Sequence, residues 1–238
     1  AEALRLRYRL IAAELVALGI DVNCMPVLDV PQPGAHAIIG DRALARDPET
    51  VARHGRAVIE GLMAGGVLPV VKHLPGHGRA AADSHEALPR VDAPRAALAA
   101  TDFAPFAALA DAPLSMTAHV LYTALDPERP ATLSPEAIGA IRGEIGFDGL
   151  LMTDDIGMGA LSGPVAARAD AAIAAGCDVV LHCNGDLDEM EAVADAVPVL
   201  AGPAAERAAR AEAARHAPDA ADLPALEARY HALAGEAA

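Results

Sequence analysis

Five short apolar runs, each followed by an amphipathic stretch rich in alanine, most strongly limit the fold of this chain. The runs cover residues 20–30, 66–74, 112–122, 149–157 and 177–184. Their apolar residues are largely consecutive rather than alternating, which is typical of parallel strands buried on both faces. The repeated order of strand and helix predicts an α/β fold with right-handed crossovers.

The stretches around these runs predict helices over 2–18, 48–65, 92–110, 134–145, 164–175 and 186–196, with one or two C-terminal surface helices from about 203 to 238. Asp47-Pro48 and Ser134-Pro135 each place a capping residue before a proline at the first helical position. Gly65-Gly66 and Gly176 are stop signals. We therefore expect about five βα units in a single domain that spans residues 1–238.

Composition excludes several classes of protein. Hydrophobic residues make up 53% of the chain, enough to bury a large core, and the net charge of −15 argues against nucleic acid as a partner. The sequence has no apolar run of the roughly 18 residues that span a bilayer, and we expect no signal peptide. The scattered Cys24, Cys177 and Cys183 form neither a disulfide framework nor a metal motif, which predicts reduced thiols in a cytosolic core.

Every predicted strand ends in polar residues, namely Asp29, Lys72 with His73, His119, Asp154 with Asp155, and Asn184. The carboxyl ends of the strands of a (β/α)8 barrel face one common mouth, where active sites form. We therefore expect a site at these ends. An aspartate at a strand end can be a nucleophile, but Asp154 or Asp155 could equally cap the next helix.

The histidines of the stretch "VVKHLPGHGRAAADSHEALP", residues 70–89, allow two interpretations of its function. His73 and His77 have the four-residue spacing of helical metal ligands, but Pro75 and Gly76 interrupt any helix and no third ligand is evident, so we expect no metal site. Alternatively, Asp83 can accept a hydrogen bond from the ring of His85 and fix its tautomer, an acid–base arrangement. A polar surface loop would show the same spacing.

Several longer segments, taken together, resemble glycoside hydrolase family 3, specifically its bacterial β-N-acetylhexosaminidases of the peptidoglycan-recycling type. "VKHLPGHGRAAADSH" resembles the KHFPGHG…DSH signature of these enzymes, and "GLLMTDDIGMGAL" resembles the strand that carries their nucleophile. The segments "MPVLDV" and "IGDRALARDPETVA" match two further motifs in order. The resemblance covers roughly residues 10–184.

This resemblance implies a (β/α)8 TIM-barrel enzyme that releases terminal β-linked N-acetylglucosamine from muropeptides or chitin-derived sugars, with retention and through a covalent glycosyl-enzyme. It implies that Asp154 is the nucleophile, His85 the general acid and base, and Asp83 the residue that orients His85. Sugar hydroxyls would be held by Arg42, Lys72 and His73. Gly76 and Gly78 would let the loop move over the sugar. The resemblance also implies no cofactor, no metal, no membrane partner, a monomer and a cytoplasmic location.

The chain departs from the family pattern at its start. The family's barrel has eight strands, whereas the five runs here match its fourth to eighth. The "D-x-E-G-G-R-V" segment, which supplies an aspartate and an arginine to the family's sugar pocket, has no counterpart. We therefore expect this chain to be an incomplete barrel from a longer gene product, and we expect no activity from the chain alone.

Three other functions stay open. A family 3 β-glucosidase takes its acid–base group from a glutamate in a second domain, which this chain lacks. A phosphorylase is compatible because a histidine repels incoming phosphate less than a carboxylate does. The third is an inactive sugar-binding module.

Overall fold

The structure is a computed structural model that describes residues 1–235. The last three residues of the predicted C-terminal tail, 236–238, lie outside the described residues. The strands are β1 (Val22–Asn23), β2 (Leu68–Leu74), β3 (Arg90–Val91), β4 (Leu114–Thr117), β5 (Leu121–Tyr122), β6 (Leu150–Asp155) and β7 (Val179–Leu181).

Five of these strands form one parallel sheet in the order β1-β2-β4-β6-β7, curled into a half-barrel. In its register Val70 pairs with Leu114, which in turn pairs with Leu150. The short strands β3 and β5 pair with each other beside the sheet. The sheet confirms the incomplete TIM-barrel fold and the five predicted strand positions, although the strands are shorter than the apolar runs.

Helices pack around the sheet. They are α1 (Glu2–Ala17), α2 (Pro48–Ala64), α3 (Arg95–Ala97), α4 (Ala104–Ala108), α5 (Pro135–Gly143), α6 (Val165–Ala175), α7 (Leu187–Ala196), α8 (Gly202–Ala214) and α9 (Leu223–Ala234). The predicted start signals are confirmed, because Asp47 accepts from the Thr50 amide and Ser134 from the Ala137 amide. Gly176 ends α6 in a left-handed conformation.

The single helix predicted over 92–110 is wrong. The structure has α3, a π-helical turn over Leu98–Asp102, and then α4. Pro105 has no amide hydrogen, and its ring crowds the carbonyl four residues earlier, so one continuous helix cannot pass through this position.

The two faces of the sheet differ in what they contact. Val71 and Leu151 belong to the main core, on the side of the helices. Leu150 and Met152 belong to a second cluster, which α8 covers with Ala211. Because side chains alternate along a strand, β6 presents Asp154 on the same side as Leu150 and Met152, towards the inside of the half-barrel.

The expectation of three core thiols holds only for Cys177, which is buried. Cys24 and Cys183 are exposed, because Cys24 directly follows β1 and Cys183 lies two residues after β7, at the two edges of the sheet. All three thiols are unpaired. None of the helices described over residues 1–235 combines the length and the apolar character that crossing a membrane requires.

Candidate active site

A small cleft at the carboxyl ends of the strands gathers most of the predicted site residues. It is lined by Ile38, Ile39, Arg42, Lys72, His73, His77, Ser84, His85 and Asp154. Strand β2 supplies the adjacent lysine and histidine, β6 supplies the aspartate, and the loop after β2 supplies His85. The sixth predicted residue, Asp83, adjoins the cleft through its hydrogen bonds to His85.

Asp83 and His85 form a hydrogen-bonded pair. The carboxylate Oδ1 of Asp83 lies 2.7 Å from the ring Nδ1 of His85 and also accepts from its backbone amide at 2.9 Å. The His85 amide is the main cause that holds the pKa of Asp83 below its usual value. An ionised Asp83 keeps the ring proton on Nδ1, which leaves Nε2 of His85 free to exchange a proton with another group.

Asp154 and its neighbour Asp155 have different surroundings. Asp154 is partly exposed; its Oδ1 accepts from the Asp155 amide, and its Oδ2 lies 4.0 Å from Nε2 of His73. The carboxylate of Asp155 instead accepts from the amides of Gly157 and Cys183, which shapes the turn after β6. Because α6 begins only at Val165, neither aspartate caps that helix.

Asp29 is part of this site, as expected of a polar residue at a strand end, although no individual role was predicted for it. Its side chain is fully buried and accepts from the ring Nδ1 of His73 at 2.7 Å and from the His77 amide at 2.6 Å. Burial disfavours the charged form, but His73 and the His77 amide outweigh it and hold the pKa of Asp29 below its usual value. Asp29 therefore fixes the ring of His73 with Nε2 facing Asp154.

Two further histidines support the cleft, of which His77 also lines it. His77 contacts Ser84 Oγ through Nε2 at 3.1 Å, and His119 contacts Thr132 Oγ1 through Nδ1 and the Asp155 carbonyl through Nε2. Burial lowers the pKa of both imidazoles, so they are neutral supports of the loop and of the end of β6. Among residues 1–235, no group of three or more histidine, cysteine or acidic side chains is arranged to hold a metal ion.

The two predicted sugar-binding cations reach the cleft from different elements. Arg42 ends a 3₁₀ turn, Gly40–Arg42, and donates to the Ile38 carbonyl at 2.8 Å. The Lys72 amide donates to the Pro26 carbonyl, and the Lys72 carbonyl accepts from the Leu28 amide, so both backbone groups of Lys72 are bound to the segment after β1. Asn184, another strand-end residue, instead donates to Glu189 and is not among the residues that line the cleft.

Gly76 and Gly78 are closely packed, and Gly76 turns the chain with a φ of +131°, which favours glycine. The predicted movement of the loop over the sugar stays a prediction. A Cβ on Gly78 would lie 2.1 Å from the Val30 carbonyl oxygen, and one on Gly76 would lie 2.9 Å from the Cβ of Asp102. The Tyr122 hydroxyl also donates to the Gly76 carbonyl. This part of the loop is therefore closely packed, and the exposed part begins at Ala81.

Replacing Asp29 with asparagine should lower the free energy of unfolding by about 3 kcal/mol, because the change removes the buried anion that holds His73 and the His77 amide. Denaturant titration at neutral pH measures the loss. The folded-state pKa of Asp29 is lowered, so the stability that its charge contributes is present above its ordinary value of 3.8 and lost as pH falls through the lower folded value. The gap between parent and variant should therefore narrow in acid.

The matched control is Asp92→Asn, which removes an exposed carboxylate that pairs with the exposed Arg90. It should change stability by less than about 0.5 kcal/mol. Equal losses for the two variants would contradict the role given to Asp29.

Comparison with known proteins identifies the family of this chain. Residues 5–215 match the family model described as the glycosyl hydrolase family 3 N terminal domain. A beta-hexosaminidase of Alkalilimnicola ehrlichii is 47% identical over 180 residues, which are 74% of this chain and 51% of that protein. A beta-hexosaminidase of Aromatoleum aromaticum is 40% identical over 231 residues, 95% of this chain and 64% of that protein.

Solved structures show the same likeness. NagZ from Neisseria gonorrhoeae in complex with N-trifluoroacetyl-D-glucosamine superposes with a TM-score of 0.83 at 34% identity, over 98% of this chain and 70% of that one. A family 3 beta-N-acetylglucosaminidase from Paenibacillus sp. gives 0.77 at 36% identity, over 99% and 45%. The chain spans about half the length of the first curated relatives that it matches. On the family model and these relatives, the chain belongs to glycoside hydrolase family 3.

Proposed function

We propose that this chain carries the catalytic residues of a retaining exo-β-N-acetylglucosaminidase that acts on muropeptides or chitin-derived sugars. The observation that carries the proposal is the Asp83–His85 pair, joined at 2.7 Å, in the loop that lines the same cleft as Asp154. Relatives named beta-hexosaminidase and a neighbour in complex with an N-acylated glucosamine support the choice of sugar.

In the first step, a carboxylate oxygen of Asp154 forms a bond to the anomeric carbon while the bond from that carbon to the aglycone oxygen breaks. The leaving oxygen takes the proton of His85 Nε2–H, and the sugar remains as an ester of Asp154. Asp83 stabilises the imidazolium that supplies this proton. Retaining glycosidases usually use two carboxylates, and here the imidazole takes the place of the second.

In the second step, water attacks the anomeric carbon of the ester from the side that the aglycone left. Its proton moves to the now neutral His85 Nε2, the bond to Asp154 breaks, and the carboxylate is restored. Lys72, Arg42 and the Nε2 of His73 are the donors proposed to hold sugar hydroxyls, since all three residues line the cleft. The configuration at the anomeric carbon inverts in each step, so it is retained overall.

The open half-barrel affects whether this chain can be active alone. We propose that strands from sequence outside this chain complete the barrel and the sugar pocket, because β1 and β7 each pair with one strand only within the described part of the chain. Assays therefore compare this chain with a form in which the N-terminal region of a relative precedes Ala1. A monomer and a cytoplasmic location stay predictions from the sequence, and sedimentation tests the first of them.

The test is hydrolysis of the 4-nitrophenyl β-glycosides of N-acetylglucosamine and of glucose. We expect turnover of the first and little of the second, with the β-anomer of the free sugar appearing first by NMR. Preference for the glucoside, or the α-anomer first, would contradict the proposal. Formation of the sugar 1-phosphate in phosphate buffer would identify a phosphorylase instead.

A further inference from the structure

The loop after β6, residues 156–163, forms a rigid support next to the active-site cleft, and we call it the platform loop. Its Ile156 and Leu161 are buried and cluster with Ala169 and Val193 of the neighbouring helices. The Arg168 guanidinium donates to the carbonyls of Ile156 at 2.7 Å and of Gly163 at 2.9 Å. Both ends of the platform loop are therefore fixed.

The segment that carries the acid–base pair, residues 81–88, is the dyad loop, and most of it is exposed. Two backbone hydrogen bonds tie it to the platform loop. The Gly159 amide donates to the His85 carbonyl at 2.9 Å, and the Ala160 amide donates to the Ser84 carbonyl at 3.1 Å. The backbone of His85 is thus held by the element that directly follows Asp154 and Asp155.

Glycine is required at position 159 for this contact. A Cβ there would lie 2.7 Å from the carbonyl oxygens of both His85 and Glu86, which is closer than real Cβ contacts come. Both atoms belong to the backbone, so no side chain can rotate away. Gly159 is not among the glycines with positive φ, so the constraint is steric contact rather than backbone conformation.

We propose that Gly159 is a positioning residue for the acid–base group: by letting the two loops touch, it sets the distance between His85 Nε2 and the oxygen that His85 protonates. This inference rests on the proposed function. The sequence shows only a glycine within "DDIGMGAL", because its contact partner lies more than 70 residues earlier in the chain.

The test is Gly159→Ala, assayed with an alkyl N-acetyl-β-glucosaminide and with the corresponding glycosyl fluoride. The variant is made in the form of the protein that hydrolyses these substrates, either this chain or the chain preceded by the N-terminal region of a relative. The alkyl substrate needs a proton from His85 to leave, whereas fluoride leaves without one. We expect kcat/KM to fall about 10- to 100-fold for the alkyl substrate, because misplacement by about 1 Å costs this much, and to change little for the fluoride. An equal fall for both substrates, or no fall for either, would overturn the proposal.

Gly139→Ala is the matched control, since a Cβ on this exposed residue of α5 meets nothing within 4 Å. It should leave both rates unchanged. Hydrogen exchange gives a second readout that does not depend on turnover: the amides of Gly159 and Ala160 should be protected in the parent and lose protection in Gly159→Ala. Unchanged protection would overturn the proposal. A parent protein that hydrolyses neither substrate would instead count against the proposed function, and the exchange data would still decide this inference.

Discussion

Replacing Asp154 with alanine should lower kcat/KM for N-acetyl-β-glucosaminides by about 10⁴-fold or more, because no other group can form the bond to the anomeric carbon. Asp154 is the aspartate of β6 that lines the cleft, with Oδ2 4.0 Å from Nε2 of His73. The variant removes the attacking oxygens and leaves space in the cleft for a small anion. Added azide should therefore restore turnover and give the α-glycosyl azide, the product of one inversion.

Asp155→Asn is the control for this variant. The carboxylate of Asp155 accepts from the backbone amides of Gly157, in the turn after β6, and of Cys183, after β7, and an amide oxygen can still accept these bonds. We expect a loss of less than about 10-fold, since no charge-dependent step is assigned to Asp155. A loss at Asp155 as large as that at Asp154 would contradict the assignment of the nucleophile.

Replacing His85 with alanine should lower kcat/KM for substrates with poor leaving groups by about 10²- to 10⁴-fold, the usual contribution of a general acid. Glycosyl fluorides should be spared in the first step and should let the glycosyl-enzyme accumulate, because the base for the second step is missing. Azide should then attack the accumulated ester and give the β-glycosyl azide. The opposite azide anomers from the His85 and Asp154 variants separate the two roles.

The control for His85 is Glu86→Gln, which changes the next residue of the same exposed loop. Its side chain is a carboxylate, the group that most retaining glycosidases use as acid. We expect a change of less than about threefold, as for other surface substitutions. If Glu86→Gln instead shows the leaving-group dependence expected of His85→Ala, then Glu86 is the acid and the role given to His85 is wrong.

Local sequence signals predicted most of the strands and helices of this molecule. The consecutive apolar residues of 66–74 and 149–157 correspond to β2 and β6, and the capping pairs at Asp47 and Ser134 begin α2 and α5. These signals act over a few residues, so they survive in a single sequence. Pro105 is also a local signal, for a break in a helix, but the apolar pattern on both sides of it favours one helix.

The parts that the sequence did not predict depend on contacts between distant residues. Asp29 holds His73 from 44 positions away, so no spacing within the KHLPGHG stretch reveals this contact. Gly78 was expected to give the loop freedom, yet the Val30 backbone packs against it. A glycine permits mobility and close approach equally, and only the tertiary contact decides between them.

The most direct test of the central claim is labelling of the protein with a 5-fluoro N-acetylglucosaminyl fluoride. Fluorine at C5 slows both steps by disfavouring the positive charge at the anomeric centre, while the fluoride leaving group keeps the first step feasible, so the glycosyl-enzyme should persist. Intact-mass and peptide mass spectrometry should find one sugar on Asp154, and none in Asp154→Ala. A sugar on Asp155 or Asp83, or no adduct in a preparation that turns over substrate, would contradict the account.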